Sequence, residues 1–147
     1  MGSFSLCNPI DNENIIISID HLQAIVTHSV FTQPWEACGF VAGYENKVFV
    51  VIPITNISQD PDRFLMNPQE QIRALCMIQS QGMRLIGIYH SHPIGPATPS
   101  PVDIAAFQYP GVLVIICSRD QEKWVVQCYK IIDDDFRAEK MRIVDIG

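Results

Sequence analysis

The sequence predicts an α/β domain in a three-layer-like arrangement, with a mixed, mostly antiparallel and curved sheet flanked by helices. The chain has 147 residues, which is close to the common size of one domain. Strand and helix patterns alternate over its first two thirds, which favours strands covered by helices. Three strand patterns then follow one another near the end, which favours antiparallel neighbours in the same sheet.

The first part of the chain predicts a loose segment, a strand and a helix. Residues 1–14 are polar and rich in turn formers, so we expect the folded domain to span 15–147. The domain opens on a β-branched run that is typical of a strand. Asp20, followed by Gln23 three residues later, resembles a capping box for a helix that Pro34 then ends.

A hairpin and a second helix are predicted next. Strand patterns cover 37–42 and 47–54, and the four-residue turn between them favours a hairpin. After a polar connection, we expect a helix that begins at Asn67 as its N-cap and stops at Gly82. Its inward face is predicted from the apolar residues at helical spacing, which are Ile72, Leu75, Cys76 and Ile78.

The rest of the chain predicts four strands and one short helix. An apolar run at 85–89 is typical of a buried strand and leads directly into a histidine pair. A short helix opens at 100–103. We expect the last three strands at 112–117, 124–132 and 136–146, where they form a meander.

Composition and charge exclude several classes of function. Sixteen Asp and Glu against ten Lys and Arg give a net charge of −6, whereas proteins that bind nucleic acid usually carry a basic patch. No run reaches the roughly 18 apolar residues of a membrane span. The start of the chain also lacks the basic and apolar regions of a secretory signal. We therefore expect neither a nucleic-acid nor a membrane partner.

The cysteines indicate a reducing compartment. There are five of them at widely separated positions, and no two form a CxxC motif. This usage suits free thiols rather than a disulfide framework, so we expect a cytoplasmic location. Most of the thiols, Cys38 among them, are expected to be small core side chains.

Two histidines close the strand pattern that ends at residue 92. His90 and His92 are two residues apart, so the alternation of a strand points both imidazoles to one face. They can then converge on one cation, at about 2.0–2.1 Å each. A proline-rich loop follows and returns at Asp103, whose carboxylate could supply a third ligand. Two His and one carboxylate, with a fourth position open to water, are typical of catalytic zinc.

Simpler roles exist for each part of this pattern. An isolated HxH is more often not a metal site. Ser100 and Asp103 are most simply the two members of a helix capping box, with Ser100 as N-cap and Asp103 at the third helical position. A cap does not exclude metal binding, because it holds the carboxylate in place. All four residues together at this spacing favour the metal site.

These residues resemble the JAMM motif of the MPN (Mov34/JAB) metallopeptidases. The motif reads His90-x-His92, seven residues, Ser100, two residues and Asp103, and each defined position matches. The longer strings PWEACGF and HSHPIGPATPSPVD are similar to the short bacterial and archaeal members. Those members include peptidases that act on ubiquitin-like sulfur carrier proteins. The resemblance covers roughly residues 15–130 and implies an MPN fold.

The resemblance also implies a role for each site residue. His90, His92 and Asp103 would bind zinc, and Ser100 would hydrogen-bond the tetrahedral intermediate. The family's catalytic glutamate falls on Glu36, which would take a proton from water and pass it to the leaving amine. Without the resemblance, a solvated charge in a turn is the favoured interpretation of Glu36.

The family cleaves bonds after the glycine-ended tail of ubiquitin-like proteins, so the implied substrate is a sulfur carrier protein with a C-terminal adduct or extension. An extended tail can add as a strand to a sheet edge. Residues 59–66 are one candidate for that edge, and an ordinary surface loop is an equal alternative. The sequence leaves a homodimer open. Phe64, Trp124, Tyr129 and Phe136 are expected to be core aromatics rather than substrate contacts.

Three other functions compete with this hypothesis. A non-catalytic scaffold of the same fold usually lacks the motif, which is complete here. A structural zinc module would need a fourth protein ligand, for which Cys38 is the candidate. A non-haem iron oxygenase also uses two His and one carboxylate, but its usual order is HxD followed by a distant His.

Overall fold

The computed structural model describes residues 14–145. The predicted loose segment therefore lies outside the described residues except for Asn14, and the domain boundaries at 15 and 147 stay predictions. Three helices occur in the described part, α1 (Ile19–Thr32), α2 (Pro68–Ser80) and α3 (Pro101–Ala106). The strands of this part are β1 (Ile15–Ser18), β2 (Cys38–Tyr44), β3 (Lys47–Ile54), β4 (Arg84–His92), β5 (Leu113–Asp120), β6 (Lys123–Ile132), β7 (Asp135–Glu139) and β8 (Met141–Val144).

The strands form one mixed sheet in the order β7-β6-β5-β4-β2-β3-β1-β8. The pairs β4–β5, β1–β3 and β1–β8 are parallel. The other neighbours are antiparallel, including the predicted hairpin of β2 and β3. The predicted mixed, mostly antiparallel sheet is therefore confirmed.

The end of the chain departs from the predicted meander. Instead of one strand at 136–146, the structure has β7 and β8 with only Lys140 between them, and Ile146 lies outside the described residues. β8 leaves the meander and pairs in parallel with β1 at the other edge of the sheet. Because one linking residue spans only a few ångströms, the sheet must curl until its two edges meet at Lys140.

Alternate residues of the central strands serve opposite faces of the sheet. Val41 and Tyr89 lie in the core cluster that Ile25 of α1 joins. Phe40 and Ile88 lie in a second cluster, against Ile78 of α2. The sheet is thus a middle layer between two helices, as predicted, and its period-two alternation fills both cores.

Two details of the helices correct the sequence analysis. The N-cap of α1 is Ser18 rather than Asp20, because the Ser18 hydroxyl oxygen accepts the His21 N–H at 3.1 Å. On α2, Ala74 and Ile78 form the buried stripe four residues apart, whereas the predicted Ile72 and Cys76 face solvent. The sequence offers two adjacent stripes of similar apolarity, and packing onto the sheet selects one.

The caps and cysteines agree better with expectation. Asn67 caps α2 through its side-chain oxygen, and Gly82 follows the helix with a positive φ. Among the described cysteines, three are buried free thiols, Cys38, Cys117 and Cys128. None of the helices over residues 14–145 is both long and apolar enough to cross a membrane.

Gly39 tests how tightly the centre of the sheet is packed. A Cβ at Gly39 would overlap the Ile52 carbonyl oxygen and the Tyr89 ring, whereas one at Gly87 would meet the mobile end of Ile115 at 3.1 Å. We expect Gly39→Ala to lower the free energy of unfolding by about 1–3 kcal/mol, and Gly87→Ala by less. Urea unfolding of both variants measures this. Equal midpoints would contradict the packing described here.

Candidate metal centre

Four side chains that are scattered along the chain converge at one end of the sheet. One ligand atom each from Glu36, His90, His92 and Asp103 lies within 4.8 Å of the others. The two histidines lie at the C-terminal end of β4, Asp103 is in the first turn of α3, and Glu36 precedes β2. The structure therefore brings together all four predicted ligand and base residues.

The histidines and the aspartate form a nearly equilateral triangle. The Nε2 atoms of His90 and His92 are 3.1 Å apart, and each lies 3.0 Å from Oδ2 of Asp103. Ligands on a tetrahedral zinc ion lie roughly 3.3–3.5 Å from one another, which is only slightly wider. Oε1 of Glu36 is buried and has no hydrogen-bond partner. The donor set fits a small divalent cation with Glu36 beside it.

Strand pairing explains why Glu36 meets the histidines. Antiparallel β2 and β4 place Cys38 opposite His90, so the start of one strand lies beside the end of the other. Ser91 points away from the two histidines, and its hydroxyl oxygen accepts the Ala37 N–H at 2.7 Å. This bond fixes the residue that follows Glu36.

The proline-rich loop after His92 is tethered at three consecutive carbonyls. The Ser118 hydroxyl donates to Gly95 at 2.6 Å, and the Tyr129 hydroxyl donates to Ala97. Between them, Nδ1 of His92 donates to the Pro96 carbonyl at 2.8 Å. In the neutral ring, this last bond places the proton on Nδ1, so the lone pair of Nε2 can bind a metal ion. The loop therefore orients a ligand as well as connecting two.

Ser100 and Asp103 form the predicted capping box. The Ser100 hydroxyl oxygen accepts the Asp103 N–H at 3.1 Å, and the Ser100 N–H donates to Oδ2 of Asp103 at 2.9 Å. The same carboxylate oxygen faces both histidines. Cap and site thus share an atom, and the cap fixes where the carboxylate can point.

Burial and charge shift the ionisation of the cluster in different directions. Burial raises the pKa of Glu36 to about 8, and nearby His92 lowers it only in part. Burial lowers the pKa of His90. Burial also opposes the charge on Asp103 and His92, but hydrogen bonds outweigh it: His90 and His92 both bond to Asp103, and His92 bonds to Asp103 and to the Pro96 carbonyl. As a result, the pKa of His92 is raised and that of Asp103 is lowered.

Cys38 lies outside this cluster, although it pairs with His90 in the sheet. Its thiol donates to the Ile54 carbonyl at 3.4 Å, and burial raises its pKa to about 12. A metal ligand must be a thiolate, which this environment disfavours. Over the described residues, the structural zinc module thus loses its candidate fourth ligand.

The candidate edge at 59–66 supplies part of the lining beside the site, but the contact of Phe64 with His90 was not predicted. The Phe64 ring packs against the second core cluster, in line with the expectation of a core aromatic, and it also stacks on the His90 imidazole with centroids 4.8 Å apart and planes at 27°. Phe64 lines a groove of about 230 Å³, which is also lined by His90, Asp103 and Val102 of α3. Nothing in the sequence marks the stacking on His90, because this contact joins two segments with no shared motif.

The chain belongs to the family of prokaryotic homologs of the JAB domain, which it matches over residues 18–131. The CysO-cysteine peptidase of Mycobacterium tuberculosis is 28% identical over 134 residues, covering 89% of this chain and 92% of that protein. The desampylase of Pyrococcus furiosus is 32% identical over 114 residues, covering 76% and 81%. The solution structure of protein DSY2949 from Desulfitobacterium hafniense superposes with a TM-score of 0.80 at 30% identity, covering 89% and 93%. The predicted family and MPN fold are therefore confirmed.

The raised pKa of Glu36 predicts how pH affects the metal-free protein. The carboxyl group has a pKa of about 4.3 in the unfolded chain and a higher pKa, about 8, in the folded protein. Its contribution to stability is therefore fully present at a pH below about 4.3 and is lost as the pH rises to 8. We expect Glu36→Gln to stabilise the metal-free protein increasingly between pH 5 and 8, by at most about 1.4 kcal/mol per pH unit. Thermal melting in chelator measures it, with exposed Glu122→Gln as the control. A pH-independent difference would contradict the burial of an ionisable Glu36.

Proposed function

We propose that the protein is a zinc metallopeptidase that hydrolyses the bond after the C-terminal tail of a ubiquitin-like sulfur carrier protein. The observation that carries this proposal is the triangle of His90, His92 and Asp103 with the buried Oε1 of Glu36, which has no hydrogen-bond partner, beside it. The relatives support the reaction, since one is a CysO-cysteine peptidase and another a desampylase. A non-catalytic scaffold would have no use for the buried Glu36.

In this proposal, His90, His92 and Asp103 hold the zinc ion through Nε2, Nε2 and a carboxylate oxygen. A bound zinc ion supplies Lewis acidity, which lowers the pKa of a water to about 7 and polarises a carbonyl group. The short triangle edges match the small radius of such an ion. The hydrogen bonds of Asp103 and His92 to their own loop hold both ligands in place before the ion arrives.

Glu36 moves the proton. Burial raises the pKa of this carboxyl group to about 8, so its ionised and its protonated forms are both populated near neutral pH. It can therefore accept the proton of the attacking water and return it to the leaving amine, which makes it first the general base and then the general acid. Ala37, fixed by Ser91, limits how far Glu36 can drift.

Ser100 stabilises the oxyanion in this mechanism. Its hydroxyl oxygen already accepts the Asp103 N–H, so its own hydrogen is free to donate to the developing negative charge. The capping box fixes the hydroxyl at the first turn of α3, and the donor needs little reorganisation when the reaction occurs.

The groove beside the metal centre is the proposed path of the substrate tail. Ile57 N–H donates to the Leu65 carbonyl and Asn67 N–H to the Thr55 carbonyl, so Leu65 and Asn67 direct their backbones toward the outgoing limb of the loop. The alternation of an extended chain then turns the backbones of Phe64 and Met66 the other way, toward the groove. The candidate edge at 59–66 narrows to these residues, where an extended glycine-rich tail can add as a strand.

Location and partners follow from the same proposal. Free thiols fit a cytoplasmic enzyme, and a net charge of −6 disfavours nucleic acid. The partner of this site is the carrier protein itself, and the oligomeric state, a homodimer included, stays open.

Incubation with carriers that bear C-terminal extensions, read by intact mass, tests the substrate. Cleavage directly after the glycine that ends the tail supports the proposal, and carriers that all stay intact contradict it.

Metal analysis tests the centre directly. We expect one zinc ion per chain in protein purified without added metal, and His92→Ala should lose it because two ligands hold the ion poorly. A chelator should abolish turnover but leave a cooperative thermal transition, since the core is large enough without metal. Stoichiometric iron in place of zinc, or full zinc retention by His92→Ala, would contradict the assigned centre.

Variants of the site separate the base from the ligands. Glu36→Gln should keep zinc and the fold but lose turnover by at least about 10²-fold, because an amide cannot take a proton. Ser100→Ala should keep zinc, lose roughly 10²-fold in turnover as an oxyanion donor, and lose roughly 1 kcal/mol of stability as a cap. Zinc quantitation, melting and a carrier cleavage assay measure the three properties. A Glu36→Gln enzyme with near wild-type turnover would show that another group carries the proton.

A further inference from the structure

We infer that Asn56 is a positioning residue, whose carboxamide locks the loop 57–65 to the backbone of Glu36. This inference rests on the proposed function, because it concerns the same site. Asn56 follows β3, its described side-chain hydrogen bonds go to residues other than the predicted metal ligands, and it has no place in the motif of the resembled family.

The carboxamide of Asn56 joins three separate pieces of backbone. Its Nδ2 donates to the Glu36 carbonyl at 2.9 Å. Its Oδ1 accepts two N–H groups, Ser58 on the outgoing limb of the loop and Leu65 on the returning limb, each at 2.9 Å. One half of the side chain therefore holds the base, and the other half holds the loop.

The other interactions that hold the loop lie away from Glu36. At its foot, Asn56 and Met66 form an isolated antiparallel bridge, and the Ile57 N–H donates to the Leu65 carbonyl at 2.8 Å. At its tip, Asp60 and Arg63 form an exposed ion pair, a type that contributes little in water. Of the side-chain bonds described for this loop, only those of Asn56 reach across to the strand entry that carries Glu36.

The loop matters to the site through Phe64. This residue precedes Leu65, whose N–H Asn56 holds, and its ring stacks on His90. A shift of the returning limb therefore moves both the groove wall and the ring that covers a predicted metal ligand. Asn56 couples this wall to Glu36, so that the proposed tail path and the proposed base keep a fixed separation.

The chemistry of the position requires an amide. The side chain must donate one hydrogen bond and accept two within the same short reach, which asparagine does. Aspartate keeps the shape and the acceptors but cannot donate to the Glu36 carbonyl, and alanine removes all three bonds. The two substitutions therefore separate the half that holds the base from the half that holds the loop.

The test compares Asn56→Asp and Asn56→Ala with the wild type in its zinc-loaded form. We expect Asn56→Asp to lower kcat by about 10-fold or more while KM changes by less than about 3-fold, since a displaced base slows the chemical step. Asn56→Ala should lower kcat and also raise KM. It should speed hydrogen exchange of the Ser58 and Leu65 amides by about 5-fold or more. Both variants should retain zinc, because Asn56 is no ligand.

Asn46→Ala is the matched control. The Asn46 side chain also donates to a backbone carbonyl, that of Asn14 at 2.6 Å, but it lies in the β2–β3 turn away from the site. It should leave kcat, KM and the loop exchange unchanged. A purely structural role for Asn56 would lower only the melting temperature, so wild-type kcat in Asn56→Asp at 25 °C would overturn the inference. If the wild type cleaves no carrier, the proposed function fails, whereas unchanged loop exchange in Asn56→Ala overturns the inference by itself.

Discussion

The antiparallel pairing of β2 with β4 is the constraint on which the site depends. It sets Cys38 opposite His90, so a chain segment that enters β2 must pass the place where β4 ends. Glu36 is in that entering segment, and the histidines are on the departing one. The hydrogen bond from the Ala37 N–H to the Ser91 hydroxyl oxygen holds the backbone next to Glu36 against the end of β4. A base and two ligands more than fifty residues apart in the chain thereby acquire a fixed geometry.

The cluster is costly to bury, and the surrounding bonds show how the fold tolerates it. Buried ionisable groups destabilise a protein unless partners satisfy them. Asp103 has the Ser100 N–H and both histidines, and His92 has the Pro96 carbonyl. Glu36 is the exception, because its Oε1 has no hydrogen-bond partner. Natural proteins retain such groups where a bound ion or a reaction requires them.

The sequence predicted those parts of the site that depend on local spacing. His90 and His92 share a face because strands alternate, and Ser100 and Asp103 meet because a helix cap requires it. Glu36 came only from the family resemblance, since its role arises from a strand partner far along the chain. The stacking of Phe64 on His90 and the hydrogen bonds of Asn56 had no signal in the sequence, because they join segments that are far apart in the chain or lie in loops. The parallel pairing of β8 with β1 was missed for a similar reason. It joins the two ends of the described chain, and it depends on how the whole sheet curves rather than on local spacing.

The two walls of the groove differ in how firmly they are held, and this difference suggests a division of labour. The wall that carries Asp103 is anchored by a capping box and by three tethered carbonyls above a buried strand. The wall formed by residues 63–66 belongs to a surface loop, and its side-chain link to the base is the carboxamide of Asn56. Ligand geometry tolerates little movement, so it belongs on the anchored side. A surface loop can vary in sequence without disturbing the metal triangle, so the choice of substrate tail can change while the chemistry remains the same.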